Sequence, residues 1–393
     1  MTAFGGEPDL STRGPLTGLL VADFSRVLAG PYATMLLADL GADVIKVESP
    51  GGDDTRAWRP PARDGVSTYY LAINRNKRSI TLDLKDPADV VAARELARRA
   101  DIMVENFKPG GLRKYGLDHE TVSAANPRVV YASISGFGSG AGASLPGYDL
   151  IVQAMSGLMS LTGDADGPPY RAGISVFDVI TGLHATVGIL AALRHRDETG
   201  QGQHVEVNLL SSALSGLVNQ SSAVVAGGVV PYRMGNSHPS LFPYEPLPTA
   251  DGDLIVTAGN DQQFRRLCEV LGLPEVADDP RFADNDGRVA GREELRRLLV
   301  ERLLTRPKMD WFRDLTAAGL ACGPINTVDG GVAYAEELGL APVVEAGEGD
   351  RAMPSIRNPI TFSATPPRYD LPPPRLGEHG TEIREWLAQG EDR

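Results

Sequence analysis

The sequence of 393 residues predicts an α/β fold: a large doubly wound parallel-sheet domain with a smaller α/β domain set into the chain. Three observations predict it. Through the first half, apolar runs of strand length alternate with helical patterns, which implies crossover connections and so parallel strands covered on both faces. Near Gly227 the texture changes to proline, glycine and aromatic residues. After about Ala321 strand-like runs return and lead into a proline-rich end. The expected division is residues 1–226 as the first part of the large domain, 227–321 as the small domain and 322–393 as the completion of the large one.

Taken in order, Leu19–Phe24 reads as a buried strand and Pro31–Leu40 as a helix with proline in its first turn. Gly41 stops that helix, and Asp43–Val47 is the next strand. Ile80–Leu84 is predicted as a strand, Asp86 and Pro87 open a helix that runs to Arg99, and Ile102–Glu105 is again a strand. A short helix at Glu120–Ala125 and a strand at Val129–Ile134 follow. The strand-like run from Tyr170 leads into a long apolar helix at Thr181–Arg196. Beyond the turn Thr199–Gly202 comes the strand Gln203–Val207, then a helix to about Ala226. In the smaller domain Thr249–Asp253 turns between two strands, and Gln262–Leu271 and Arg292–Leu304 are amphipathic helices. Ile325–Val328 and Pro359–Phe362 are expected back in the large domain.

A net charge of -13 and a pI near 5.0 argue against nucleic acid or an anionic membrane as the main partner. Two cysteines, Cys268 and Cys322, are too few for a disulfide framework and read as apolar thiols. The six histidines have no metal-ligand spacing, so no metal is expected. Met1–Gly14 is polar and rich in Gly and Pro, a lead-in and not a signal peptide, and no apolar run is expected to span a bilayer. These features predict a cytoplasmic setting.

The first β–α turn, Arg26–Pro31, and the acidic Glu48 after the second strand resemble a dinucleotide-binding unit. The G-x-G-x-x-G turn is absent, and Pro31 and Tyr32 fill the space a pyrophosphate needs. Basic residues concentrate around the strand ends: Lys46, Arg56, Arg75, Lys77, Arg78, Lys85, Lys108, Arg113 and Lys114. In an acidic protein that clustering predicts a site for a polyanion such as a phosphorylated adenosine. Asp178 is delivered to the first turn of the long apolar helix, where the dipole favours an ionised carboxylate. Alone it reads as a helix cap; among these segments it is the candidate nucleophile.

Arg26–Pro31, Gly41–Glu48, Asn74–Ser79, Val104–Phe107, Gly147–Asp149, Thr162-Gly163 and Gly188–Leu193 together resemble the class III coenzyme A transferases, the CaiB/BaiF family. The resemblance runs from about Gly18 to His379 in one order. Gly52–Arg56, Ser67–Leu71, Asn208–Ser212 and Gly259–Phe264 look closest to the succinate–hydroxymethylglutarate type, which moves CoA between dicarboxylic acids.

That resemblance implies that Asp178 is the nucleophile and that an acyl-CoA is the co-substrate. CoA contacts are implied at Leu28, Ala29, Ser49, Leu82, Asp83, Leu84, Lys85, Asn106, Phe107, Lys108, Lys114, Pro146, Gly147, Tyr148 and Asp149. Formyl-CoA transferases carry glutamine at the position of Leu28 and arginine at that of Ser49, so formyl or oxalyl transfer is not expected. Their glycine-rich loop corresponds to Gly235–Pro239, which places Asn236, Ser237 and His238 near the acyl group. The family also implies an interlocked-ring homodimer and a path through an aspartyl anhydride and an aspartyl-CoA thioester. An α-methylacyl-CoA racemase is the enzymatic rival, but family racemases carry histidine where this chain has Tyr148, and a phenol is a poor base at neutral pH. The rival of another class, a non-catalytic CoA-binding protein, would have lost the aspartate.

Overall fold

The computed structural model describes residues 14–389, so the predicted lead-in at Met1–Gly14 lies, but for Gly14, outside the described residues. The chain divides into two compact units, the first built from residues 14–158, 171–229 and 341–389 and the second from 159–170 and 230–340. The second unit therefore takes a short earlier segment and runs on to Leu340, past the expected end at Ala321. Ile325–Val328 belongs to it, with Val328 opening the helix Val328–Glu337.

In the first unit, β1 (Leu20–Asp23), α1 (Ala29–Asp39), β2 (Asp43–Glu48), β3 (Lys77–Thr81), α2 (Pro87–Arg99), β4 (Ile102–Glu105), α3 (His119–Ala125) and β5 (Val130–Ser135) follow one another. Then come α4 (Asp149–Met155), α5 (Val176–Thr199), β6 (His204–Asn208), α6 (Leu209–Gly216) and α7 (Asn219–Val225). The six strands form one sheet in the order β3-β2-β1-β4-β5-β6, every pair parallel. Alternate residues of β1 serve opposite cores. Val21 packs with Ala33, Leu37, Ala185 and Ile189, whereas Leu20 and Ala22 pack with Ala93, Leu96 and Met103. Burial on both faces is what the near-continuous apolar strands predict.

Four expectations shift. The third strand is Lys77–Thr81 and not Ile80–Leu84, because its polar residues are buried by pairing. The run after Tyr170 is not a strand; the chain enters α5 directly at Val176. The helix expected to reach Ala226 breaks at Val218, whose φ is 41°, into α6 and α7. By length and composition α5 is long and apolar enough to cross a membrane, contrary to expectation. In the fold its Phe177, Ala185, Ile189 and Ala192 lie in the core that α1 shares.

The second unit carries a hairpin, β7 (Tyr244–Thr249) and β8 (Gly252–Thr257), joined on the other side of β8 by β9 (Cys322–Pro324), all antiparallel. Phe264, Leu267, Cys268, Leu295, Leu299 and Trp311 form its core. Both cysteines are free; Cys268 is buried and Cys322 partly so.

Candidate active site

Five of the nine clustered basic residues turn inward. Lys46 bonds Asp53 at 2.9 Å, Lys77 bonds Asp23 at 3.1 Å, and Arg75 grips Asp39 through two nitrogens at 2.9 and 2.6 Å. Arg56 is bidentate on Glu48 and Arg78 on Asp43. Burial pushes the Lys77 ammonium down to about 8 despite Asp23. Lys46 is also fully buried, yet Asp23, Asp53 and Glu48 together raise it. These cations therefore belong to buried, charge-balanced networks and not to a polyanion site, since a buried charge must be paired. Lys85, Lys108, Arg113 and Lys114 stay exposed, the last two in the short helical turn Arg113–Tyr115.

The strand order reverses direction between β1 and β4, and ligands of open α/β sheets bind in the crevice that forms there. A cavity of about 430 Å³ opens at that place. Arg26–Ala29 after β1, Asn106–Lys108 after β4, the loop after β5 including Pro146, Gly147 and Tyr148, and Asp178 all line it. The wall after β5 closes through glycines: a Cβ on Gly147 would lie 2.4 Å from the Gly136 Cα, so only glycine allows the approach.

Asp178 is the third residue of α5, partly buried, and is not its cap. Ser175 occupies the cap position without making a capping bond, and Asp149 supplies the missing acceptor from α4. One Asp149 oxygen accepts from the Phe177 N–H at 2.8 Å and from the Asp178 N–H at 3.2 Å; the other accepts from the Gln153 amide at 2.5 Å. Asp149 is thus a buried cap for α5, its carboxylate engaged by the helix start and by Gln153.

Two of the orphan donors of the helix start are taken, and among the described residues the Asp178 carboxylate has no hydrogen bond of its own. Burial first, and the negative Asp149 second, push its pKa up to about 7, against the ionisation that a helix start favours. The Tyr69 phenol, raised first by burial, bonds Ser175 and feels the charge of Asp178. Sequence reasoning missed Gln153 and Tyr69 as parts of this site. The spacing of Asp149 and Gln153, four residues apart on one helix, was the available signal for the first.

Of the implied CoA positions, Leu28, Ala29, Asn106, Phe107, Lys108, Pro146, Gly147 and Tyr148 line the cavity with Asp178. Ser49, Asp83, Leu84, Lys85 and Lys114 lie outside its lining, and the Leu82 side chain is buried in the core with α2. Lys114 lies over the Tyr115 ring at 4.7 Å. Asn106 is also structural, accepting from the Arg26 N–H and donating to the Arg26 carbonyl.

Asn236, Ser237 and His238 belong to the second unit. The Ser237 hydroxyl donates to Glu245 at 2.6 Å, the His238 Nδ1 accepts from the Ser240 N–H at 3.1 Å, and Arg292 donates to the His238 carbonyl at 2.6 Å. With Nδ1 accepting, the neutral His238 ring carries its proton on Nε2. Elsewhere, His119 and His204 stack 4.4 Å apart against Tyr131 as packing groups. Among the described residues no group of three His, Cys, Asp or Glu side chains is arranged to hold a metal ion.

A parallel α/β sheet with one carboxylate of raised pKa set in its switch-point cavity is the arrangement expected of an enzyme's active site. Residues 16–380 match the CoA-transferase family III, and the chain belongs to that family of acyl-CoA:carboxylate CoA-transferases. It is 47% identical over 379 residues to the succinate–glutarate CoA-transferase of Agrobacterium fabrum, covering 94% of each chain. The human succinyl-CoA:glutarate CoA-transferase is 40% identical over 390 residues, covering 98% of this chain and 89% of that one. The crystal structure of a CAIB/BAIF family protein from Brucella suis superimposes with a TM-score of 0.85 at 43% identity, covering 96% of this chain and all of that chain.

Proposed function

We propose that this enzyme moves CoA from succinyl-CoA to a dicarboxylic acceptor of the glutarate class, with Asp178 as the covalent relay. The carrying observation is the partly buried Asp178 carboxylate lining the switch-point cavity with no hydrogen-bond partner among the described residues, its pKa pushed up by burial and by Asp149 to about 7. A carboxylate with a pKa near neutral is a stronger nucleophile than an ordinary aspartate yet still ionised in useful fraction at neutral pH.

Its oxygen attacks the thioester carbonyl, the carbon–sulfur bond breaks, and the CoA thiolate leaves an aspartyl–succinyl anhydride. The thiolate attacks the aspartyl carbonyl carbon, which releases succinate as a carboxylate and leaves an aspartyl-CoA thioester. The acceptor carboxylate then attacks that thioester, and the two steps run in reverse. Backbone N–H groups at the start of α1, beside Leu28 and Ala29, are suited to the oxyanion that forms each time.

The names of the relatives from Agrobacterium and human support the dicarboxylate pair. On the family resemblance we assign His238 to the distal carboxylate, which must be met by a donor once it is desolvated. The same proposal includes a cytoplasmic homodimer of interlocked rings, which rests on the family resemblance.

The test compares kcat/KM for glutarate, itaconate and butyrate as acceptors from succinyl-CoA, in the wild type and in His238→Ala. Dicarboxylates should exceed butyrate by at least tenfold in the wild type, with the margin shrinking in His238→Ala. Equal use of butyrate overturns the acid class; a margin unchanged by the substitution moves the grip elsewhere.

A further inference from the structure

The turn that floors the cavity beside Asp178 is held in a conformation its own residues resist. Val27 has a φ of 70°, in the left-handed region that a β-branched residue avoids. Such a conformation persists only where the surroundings over-determine it. Here they do, from below. The Val27 N–H lies 3.3 Å from both carboxylate oxygens of Asp53. Lys46, whose side chain is wholly buried, donates from Nζ to Asp53 and to the Ser25 carbonyl, each at 2.9 Å. Asp23 takes the Ser25 N–H at 3.0 Å and its hydroxyl, and Asn106 clamps Arg26 through both its N–H and its carbonyl. Each of the three residues before Leu28 is thereby anchored by a side chain that starts on another part of the chain.

Neither Lys46 nor Asp53 touches the cavity, yet Arg26, Val27, Leu28 and Ala29 all line it. Asp53 also starts the turn after β2 by accepting from the Thr55 N–H and hydroxyl, so its carboxylate is fixed before it meets Val27. We propose that the buried Lys46–Asp53 pair is a positioning device for the transfer reaction: it holds the left-handed turn at Val27 and thereby sets where the first turn of α1 meets the acyl oxygen. This rests on the proposed CoA transfer by Asp178. Its consequence is that the pair acts on the chemical step through the backbone at Val27, not through CoA affinity.

The experiment is a kinetic cycle in the full-length enzyme. Asp53→Asn keeps the shape of the side chain but weakens its hold on both Lys46 and Val27; Val27→Gly removes the conformational penalty, because glycine takes a φ of 70° freely. Asp53→Asn should lower kcat at least tenfold with KM for succinyl-CoA changed less than threefold. In the Val27→Gly background the same substitution should lower kcat less than threefold. Lys46→Arg, which keeps the charge and disturbs the fold least, should show the same split to a smaller degree and the same relief by Val27→Gly.

An equal loss in both backgrounds, or a loss confined to KM, overturns the proposal. Amide hydrogen exchange separates its failure from failure of the functional reading. In Asp53→Asn the amides of residues 25–29 should exchange at least tenfold faster while those of β1 do not change, whether or not the enzyme transfers CoA. If protection at residues 25–29 is unaltered, the positioning role is wrong; if it is lost as expected but the wild type shows no CoA exchange, the fault lies in the proposed reaction.

Discussion

Replacing Asp178 with asparagine should stabilise the protein while abolishing transfer, and the gain should depend on pH. The carboxylate titrates near 7 in the fold against an ordinary value of 3.8. Below about pH 4 it is protonated in both folded and unfolded chains and costs nothing. As pH rises from there, the unfolded chain gives up its proton first, and stability falls until the folded carboxyl is ionised too, above about pH 7. About three pH units at ~1.4 kcal/mol each set a ceiling of ~4 kcal/mol. Asp178 is only partly buried, and solvent screening reduces the expected value to about 1–2 kcal/mol.

Asp178→Asn removes the charge and keeps the volume. Its midpoint should therefore exceed that of the wild type by on the order of 1–3 °C at pH 8, with little difference at pH 4.5. Thermal denaturation followed by circular dichroism at the two pH values measures this, and an active site that trades stability for a reactive group is the general expectation. A difference that is the same at both pH values, or a less stable variant at pH 8, would refute the account of why Asp178 titrates where it does.

Two further outcomes follow from the same geometry. Asp149→Asn removes the neighbouring negative charge while retaining an acceptor for the Phe177 N–H. The pH–rate profile of kcat/KM, which should rise through about 7 in the wild type, should then rise at a lower pH, and an unmoved profile would leave burial as the whole cause. Lys108→Glu, at the cavity wall, should raise KM for succinyl-CoA at least tenfold without raising that for the free acid, and should flatten its salt dependence. Charge reversal at Lys85 or Lys114, outside the lining, should have a smaller effect if the cavity alone holds the phosphates.

Much of the fold was legible because its punctuation is local. Asp86 caps α2 and accepts from the Ala88 N–H, and Pro87 opens the helix, as the residue pair predicts. Gly41, with a φ of 102°, ends the passage from α1 to β2. The third strand slipped by three residues because Lys77, Arg78 and Ser79 look like loop. Their burial depends on Asp23, Asp43 and Glu48, which are remote in sequence. For the same reason the basic cluster read as a ligand site: sequence shows how many cations stand near strand ends, but not which of them meet carboxylates beneath the sheet. Asp178 was legible as the carboxylate in the first turn of an apolar helix. Its raised pKa was not, since it depends first on burial in the folded chain and second on the charge of Asp149, which reaches over from α4 to the helix start. The second unit's extension to Leu340 was hidden because β9 is only three residues long and joins a hairpin some seventy residues earlier.

The central claim is that Asp178 itself becomes acylated and then carries CoA. The direct measurement is to incubate the enzyme with succinyl-CoA, quench with mild hydroxylamine and map the modified peptide by mass spectrometry. A hydroxamate at Asp178 alone, dependent on succinyl-CoA and missing from Asp178→Asn, is the predicted result. A hydroxamate at another carboxylate, or CoA exchange near the wild-type rate in Asp178→Ala, would contradict it.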